Sequence, residues 1–377
     1  MALSKIDVAN MVENEMSQAN IANNVNFRNI IINGDQSIAQ RGTSTSSLSS
    51  GANYGATDRF KLFGVTFGTW TMSQSTDVPT GQGFAKSLKM DCTTANGSLS
   101  ADSQAQISQG IEGQNLQYLK KGTSSAESLT WSFWTKSNKT GTYICQIRDI
   151  DNSRSISKSY TISSADTWEK KIITFPGDTT GALDNDNAKS FEIRWWLVAG
   201  TNFTSGSLAT SWGSETSANN AVGQVNLADS TSNEWYLTGA MLEVGTSASD
   251  FEFLPFDINY QRCKRYYQKT YEYGTAPGTA TEDAWSWYGA DYNLGITSTF
   301  QNQGVKFEMQ MRSSPSMTTY DGSGNSGKCT RYRVGSGVTH NQASSVDKIM
   351  TTNFRHFGQG TAATGNIAFH YEADAEL

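Results

Sequence analysis

Apolar and polar residues alternate in short runs along most of the chain. Such runs stand at Ala85–Cys92, Ala105–Glu112, Ser128–Lys136, Gly141–Asp149, Ser155–Ile162, Glu169–Phe175, Phe191–Val198 and Glu234–Val244. Clusters of Gly, Asn, Asp and Ser separate many of them, which is the pattern of strands joined by turns. In Glu234–Val244 both alternating sets are apolar, Trp235/Leu237/Met241 and Tyr236/Leu242/Val244, so this strand is expected to be covered on both faces. Phe251 and Phe253 predict a further short strand closed by Pro255, and Ile30–Ile32 and Ser37–Gly42 predict two more around an Asn33-Gly34-Asp35 turn. From Asp257 the period changes. Ile258, Arg262, Arg265 and Tyr266 predict a short helix with Asp257 as its N-cap. Gly113–Gly122 predicts a turn or two of helix.

Beyond that junction, Val305, Phe307, Met309 and Met311 alternate with Lys306, Glu308, Gln310 and Arg312, and Ile367, Phe369 and Tyr371 repeat the pattern near the chain end. Val8, Val12, Met16 and Ala19 recur at helical spacing in residues 1–26, a helix too short to be stable alone in water. The expected fold is therefore all-β: two β-sandwich, jelly-roll-like domains in tandem. Residues 1–26 form a helical attachment segment and 27–255 the first sandwich. A linker helix and the second sandwich occupy 256–377.

Composition sharpens this. Across 377 residues only 17% are charged, with 34 Gly and 11% aromatic residues. That suits a turn-rich β protein better than a helical bundle. A net charge of −6 offers nucleic acid no basic field. No apolar run approaches the ~20 residues of a membrane span, and the N-terminus has no apolar signal core, so a cytoplasmic product without membrane insertion is expected. Cys92, Cys145, Cys263 and Cys329 are far apart and read as buried free thiols.

Several stretches carry a family resemblance. Leu-Glu-Val-Gly (242–245) with Phe-Glu-Phe-Leu-Pro (251–255), followed by Arg-Cys-Lys-Arg-Tyr-Tyr (262–267), resembles the junction of bacteriophage tail-fibre and related virion-fibre proteins. Gln40-Arg41-Gly42 and Asp58-Arg59-Phe60 resemble the opening of a domain widespread in phage fibres, over Asn29 to Pro255. That domain is similar to the jelly-roll carbohydrate-binding modules attached to polysaccharide-degrading enzymes. Met-Arg-Ser-Ser-Pro (311–315) and the closing Tyr371–Leu377 resemble the C-terminal tip domain of such fibres, usually a small trimeric β-sandwich. The resemblance implies a homotrimeric virion component, most directly a tail fibre, held to other virion proteins through residues 1–26 and adhering to host surface glycans without cleaving them. A head fibre or capsid decoration protein, a surface-polysaccharide depolymerase and a fibre adaptor without ligand are the alternatives.

Candidate chemistry follows from strand parity. In one run Leu129, Trp131 and Phe133 face one way and Trp134 and Lys136 the other; in another, Phe191, Ile193 and Trp195 oppose Glu192, Arg194 and Trp196. Trp134 and Trp196, with Glu192 and Arg194 as hydroxyl partners, form the candidate glycan platform, since aromatic faces stack on sugars and polar side chains bond hydroxyls. The competing reading is that loops or another subunit cover these tryptophans. Trp285, Trp287 and Tyr320 are the alternative contact at the tip. Asp184 and Asp186 make an oxygen-rich turn, a weak calcium candidate; no other cofactor is expected. Glycosidase chemistry would need two carboxylates roughly 5–9.5 Å apart, and Glu192 or Glu234 beside tryptophans are the candidates. His340, His356 and His370 are expected at a surface or interface, His370 on the polar side of its strand.

Overall fold

A computed structural model describes residues 27–283, 286–290, 299–301, 304–333, 337–359 and 365–377. The attachment segment 1–26 and Trp285 lie outside the described residues, as does the side chain of Trp287. The first unit is built from strands β1 (Ser44–Leu48), β2 (Gly51–Asn53), β3 (Lys61–Val65), β4 (Thr69–Ser75), β5 (Ser87–Thr94), β6 (Gln104–Glu112), β7 (Leu129–Ser137), β8 (Gly141–Asp149), β9 (Arg154–Ile162), β10 (Glu169–Phe175), β11 (Lys189–Ala199), β12 (Gly213–Ser214) and β13 (Glu234–Val244). Among the described residues they form a six-stranded sheet, β1-β4-β5-β13-β7-β10, and a seven-stranded sheet, β12-β9-β8-β11-β6-β3-β2, with antiparallel pairing throughout.

The two sheets pack face to face through aromatic rings. Trp131 of β7 meets Trp195 of β11 edge-on at 4.6 Å between centroids, and Phe133 meets the same indole at 5.7 Å. Edge-to-face pairs of this kind add about 0.5–1.5 kcal/mol each beyond area burial. The chain is thus all-β, and β13 is buried along nearly its whole length as both of its apolar sets require.

Five local expectations differ. Ile30–Ile32 and Ser37–Gly42 are not strands, although their apolar side chains are buried. Side-chain amides take over the hydrogen bonds a ladder would have supplied: Asn29 Oδ1 accepts from Ile31 and Leu242 N–H, and Asn33 Oδ1 accepts from Ile38 N–H. This loop lies along the part of β13 that β5 leaves unpaired. Ala240 N–H donates to Gly34 O at 2.9 Å, and a Cβ on Gly34 would stand 2.0 Å from Ala240 O, so only glycine fits. Phe251 and Phe253 are also irregular; with Phe84 they form a ring cluster at 4.9–5.2 Å. The junction helix runs Phe256–Lys264 with Pro255 at its N-cap, and Asp257 sits inside the first turn, where its charge suits the helix dipole. In the second unit only Val305–Lys306 of the alternating run is strand. Val305, Phe307 and Met311 still face inward, but Gln268 Oε1 accepts from Glu308 and Met309 N–H in place of a partner strand.

The described strands of the second unit join in a nine-stranded sheet centred on Gly365–Asp374 and enclose their own core of Val305, Phe307, Phe354, Phe369 and Tyr371. His356 and His370 are buried, not superficial: they stack on Phe369 at 3.7 Å and on Tyr271 at 3.9 Å. His370 loses its expected polar face because Tyr271 and Thr270 pack over that side of the strand.

The two units are locked together. Arg265 of the junction grips buried Glu112 of β6 through two hydrogen bonds, 2.7 and 2.6 Å. Glu376, next to last in the chain, ion-pairs with Arg59 and lies 3.4 Å from Arg41, which also holds Asp374 at 2.9 Å. Arg59 stacks over the Tyr266 ring at 3.4 Å. The Leu377 oxygen accepts from Tyr54 and Lys61 at 2.7 and 3.0 Å, so the chain end returns to the outer face of the seven-stranded sheet.

Candidate functional site

Strand parity is right about direction and wrong about adjacency. Trp134 and Trp196 do point away from the shared core, but β7 and β11 belong to opposite sheets, so their outer faces look away from one another. The predicted four-residue platform does not form within one chain. Trp196 is 0% exposed. The segment after β11 folds back over it, with Phe203 at 5.3 Å, Ala221 and Leu208 against the ring, and its Nε1 facing Gln146 Oε1 at 3.3 Å. Glu192 is buried among cations: Lys189 at 3.0 Å, Arg194 Nε at 2.8 Å, Arg148 at 3.4 Å and Lys61 at 3.5 Å. Burial pushes its carboxyl up, but Arg194, Lys189 and Lys61 together hold it well below the usual range. Glu192 and Arg194 therefore neutralise each other and have little left for a sugar hydroxyl.

Trp134 has different company. It is half-buried on the outer face of the six-stranded sheet, with its ring edge and Phe84 flanking Gly239. Phe84 leads on to the Phe251/Phe253 cluster, and Phe253 and Ile172 are exposed. On the same face Lys136 lies 4.5 Å from the Tyr236 ring centre, Trp168 meets Tyr236 edge-on at 6.0 Å, and Trp168 Nε1 donates to Asp77 at 2.9 Å. Tyr236 hydroxyl donates to Glu234 at 2.6 Å, and Lys89 holds the other oxygen of Glu234 at 2.5 Å. The face is thus a ribbon of aromatic rings edged by polar groups. Burial opposes ionisation of Asp77 and Glu234, yet Lys136 with Trp168, and Lys89 with Tyr236, hold both carboxyls below their ordinary range. A glycosidase acid needs the opposite shift. Trp168 went unrecognised in the sequence because it stands between a turn and β10, just outside the strand.

The remaining candidates fall as follows. Tyr320 is half-buried, its hydroxyl bonded to Glu372 at 2.5 Å and its ring edge-on to Tyr271. Asp184 and Asp186 are exposed; Asp186 Oδ1 accepts from Ala188 N–H, and no cluster of three or more metal-ligating side chains exists among the described residues. Beside that turn a buried oxygen cage is filled by an ammonium. Lys121 Nζ touches Asp149 at 2.5 Å, Asp178 at 3.1 Å and the carbonyls of Thr180 and Gly181 at 2.8 Å each.

A cleft of about 400 Å³ opens where the first unit meets the junction helix. Phe27, Ile30, Gln109, Gln114, Asn115 and Tyr118 line one side, Arg262 and Arg265 the other. Nothing in the sequence pattern marks it, because its walls come from three distant segments.

No protein-family model matches the chain, and no curated protein does. Among solved structures it is similar to the enzymatically active domain of tailspike protein 4 of bacteriophage CBA120, at 15% identity and TM-score 0.30, over 58% of this chain and only 22% of that one. It is similar to a CBM61 module in complex with β-1,4-galactotriose, at 10% identity and TM-score 0.27, over 49% and 88% of the two chains. The family 11 carbohydrate-binding module of Clostridium thermocellum in complex with a mixed-linked tetrasaccharide gives 12% identity and TM-score 0.26, over 55% and 98%.

Proposed function

We propose that the chain is a virion-fibre component that binds host-surface glycans without cleaving them. The observation that carries this is the outer face of the six-stranded sheet, where Trp134, Trp168 and Tyr236 stand among polar groups and where Asp77 and Glu234 are both held below the ordinary carboxyl range. Aromatic faces supply stacking area and the flanking Lys, Asp and Glu supply hydroxyl partners. The resemblance of the junction and chain-end motifs to phage fibres supports reading that binding as one made on a particle, with residues 1–26 as attachment and a homotrimer as the assembly. Several weak sites on one particle then raise avidity through effective concentration.

Glycan-array binding by the intact protein tests the reading. Trp134→Ala or Trp168→Ala is expected to abolish the signal while lowering stability by only about 1–2 kcal/mol, below the roughly 3–5 kcal/mol of a core aromatic. Retained signal in both variants removes this face from the proposal. Release of reducing ends from host polysaccharide would replace adhesion with depolymerisation.

A further inference from the structure

The junction cleft has a charge that the two units do not balance. Arg265 is neutralised by Glu112 and Arg59 by Glu376. Arg262, on the same wall, makes no ion pair among the described residues; its one hydrogen bond there runs from Nη2 to the carbonyl of Asn29 at 3.3 Å. Glu252 attracts it from beyond ion-pair distance and uses its own Oε2 to accept from Asn29 N–H at 3.0 Å. A half-buried guanidinium with no carboxylate in direct contact is costly, and an incoming anion offsets that cost. The guanidinium fork fits a carboxylate through two parallel hydrogen bonds better than it fits a neutral hydroxyl.

The opposite wall has the parts that hold a sugar ring. Tyr118 is 51% exposed and held at the rim by the short helical turn Gln117–Leu119. Asn115 is exposed, and its side chain makes no hydrogen bond among the described residues. Gln109 is committed at both ends, accepting from Ile32 N–H at 2.8 Å and donating to Ile32 O at 2.9 Å, so it is wall and not ligand partner. A space of about 400 Å³ lies at the small end of ligand pockets, which run from about 300 to 1,000 Å³.

We propose that this cleft is a second binding site, specific for a carboxylated sugar residue of the uronic-acid type, with Arg262 taking the carboxylate, Tyr118 stacking on the ring and Asn115 bonding its hydroxyls. That the ligand is a saccharide rests on the glycan-binding reading above; that it is anionic rests on Arg262 alone.

Calorimetric titration of the full chain with trigalacturonate and with neutral galactotriose decides it. Trigalacturonate is expected to bind at least tenfold more tightly than galactotriose, with an affinity that falls as salt is raised. Arg262→Met should remove that preference, and Tyr118→Ala, a change at an exposed ring that leaves the fold intact, should weaken trigalacturonate by about tenfold. Trp134→Ala should leave it unchanged. Equal binding of the two sugars, no binding of trigalacturonate, or indifference to both Arg262→Met and Tyr118→Ala overturns the cleft site. Glycan-array signal that is lost in Trp134→Ala would still stand in that case, so the two readings fail separately.

Discussion

Glu376 is one residue from the chain end, a position where substitutions ordinarily change stability by less than about 0.5 kcal/mol. Here its carboxylate is buried and is the counter-ion of Arg59, which is 1% exposed and also donates to Gly110 O at 2.7 Å. Glu376→Gln keeps shape and one acceptor but leaves Arg59 as an unpaired buried charge. Breaking a buried pair from one side costs about 3–5 kcal/mol, and the retained amide oxygen puts the expected loss near the lower end, about 3 kcal/mol. Against a typical total of about 5–15 kcal/mol, that is large. Urea unfolding followed by tryptophan fluorescence should show it as a midpoint lowered by about 1 M, if the slope is near 3 kcal/mol/M. Because Glu376 belongs to the second unit and Arg59 to the first, the parent protein is expected to unfold in one transition and the variant in two. Replacing both partners, Arg59→Met with Glu376→Leu, should recover at least half the loss, since an apolar pair needs no counter-charge. A change under 1 kcal/mol for Glu376→Gln would refute the reasoning and mean that water or another cation balances Arg59.

Trp196→Ala should destabilise the first unit by about 3–5 kcal/mol, as for any core aromatic, and leave glycan-array signal from the folded fraction intact; thermal melts alongside binding check both. Burial holds the His356 ring down to about 4, from 6.5 in the unfolded chain. The unfolded state therefore binds the extra proton first as pH falls, so the stabilisation is whole above pH 6.5 and is lost progressively down to pH 4, to a total of roughly 3 kcal/mol. His370, also held low by burial, acts in the same direction. Denaturation midpoints from pH 7.5 to 4.5 should show this fall, reduced in His356→Gln; an unchanged profile in that variant would assign the effect elsewhere.

The strands of the first sandwich were legible because their alternation is strong. Gly141–Asp149, Glu169–Phe175 and Glu234–Val244 match the sequence reading residue for residue. Ser44–Leu48 escaped it, being rich in Ser and Thr with little apolar alternation to read, and Thr69–Ser75 escaped it although Trp70 and Met72 alternate with Thr, because two apolar residues are a short signal. Ile30–Ile32 misled in the other direction: three buried isoleucines look like a strand, but their backbone bonds go to Asn29, Gln109 and Leu242. For the site, period-two parity told which way Trp134 and Trp196 point from their own strands. It carries no information about which sheet each strand joins, and that decided the matter. The cleft was beyond reach for a related reason: Tyr118, Arg262 and Phe27 meet only once the junction helix docks on the first unit.

The return of the chain end to the first unit has a practical side. A Cβ placed on Gly110 would stand 2.7 Å from Leu377 Cβ, and Gly110 also lines the junction cleft. A polypeptide joined after Leu377 therefore emerges at the waist of the molecule, beside the cleft, and not from the far end of the second sheet. An affinity tag or fluorescent reporter placed there would crowd Arg262 and Tyr118 and press on the Tyr54 and Lys61 contacts, mimicking a binding defect in an otherwise sound protein. A reporter inserted in the exposed turn around Met350 would sit on the second unit and leave Leu377 free to make its Tyr54 and Lys61 contacts.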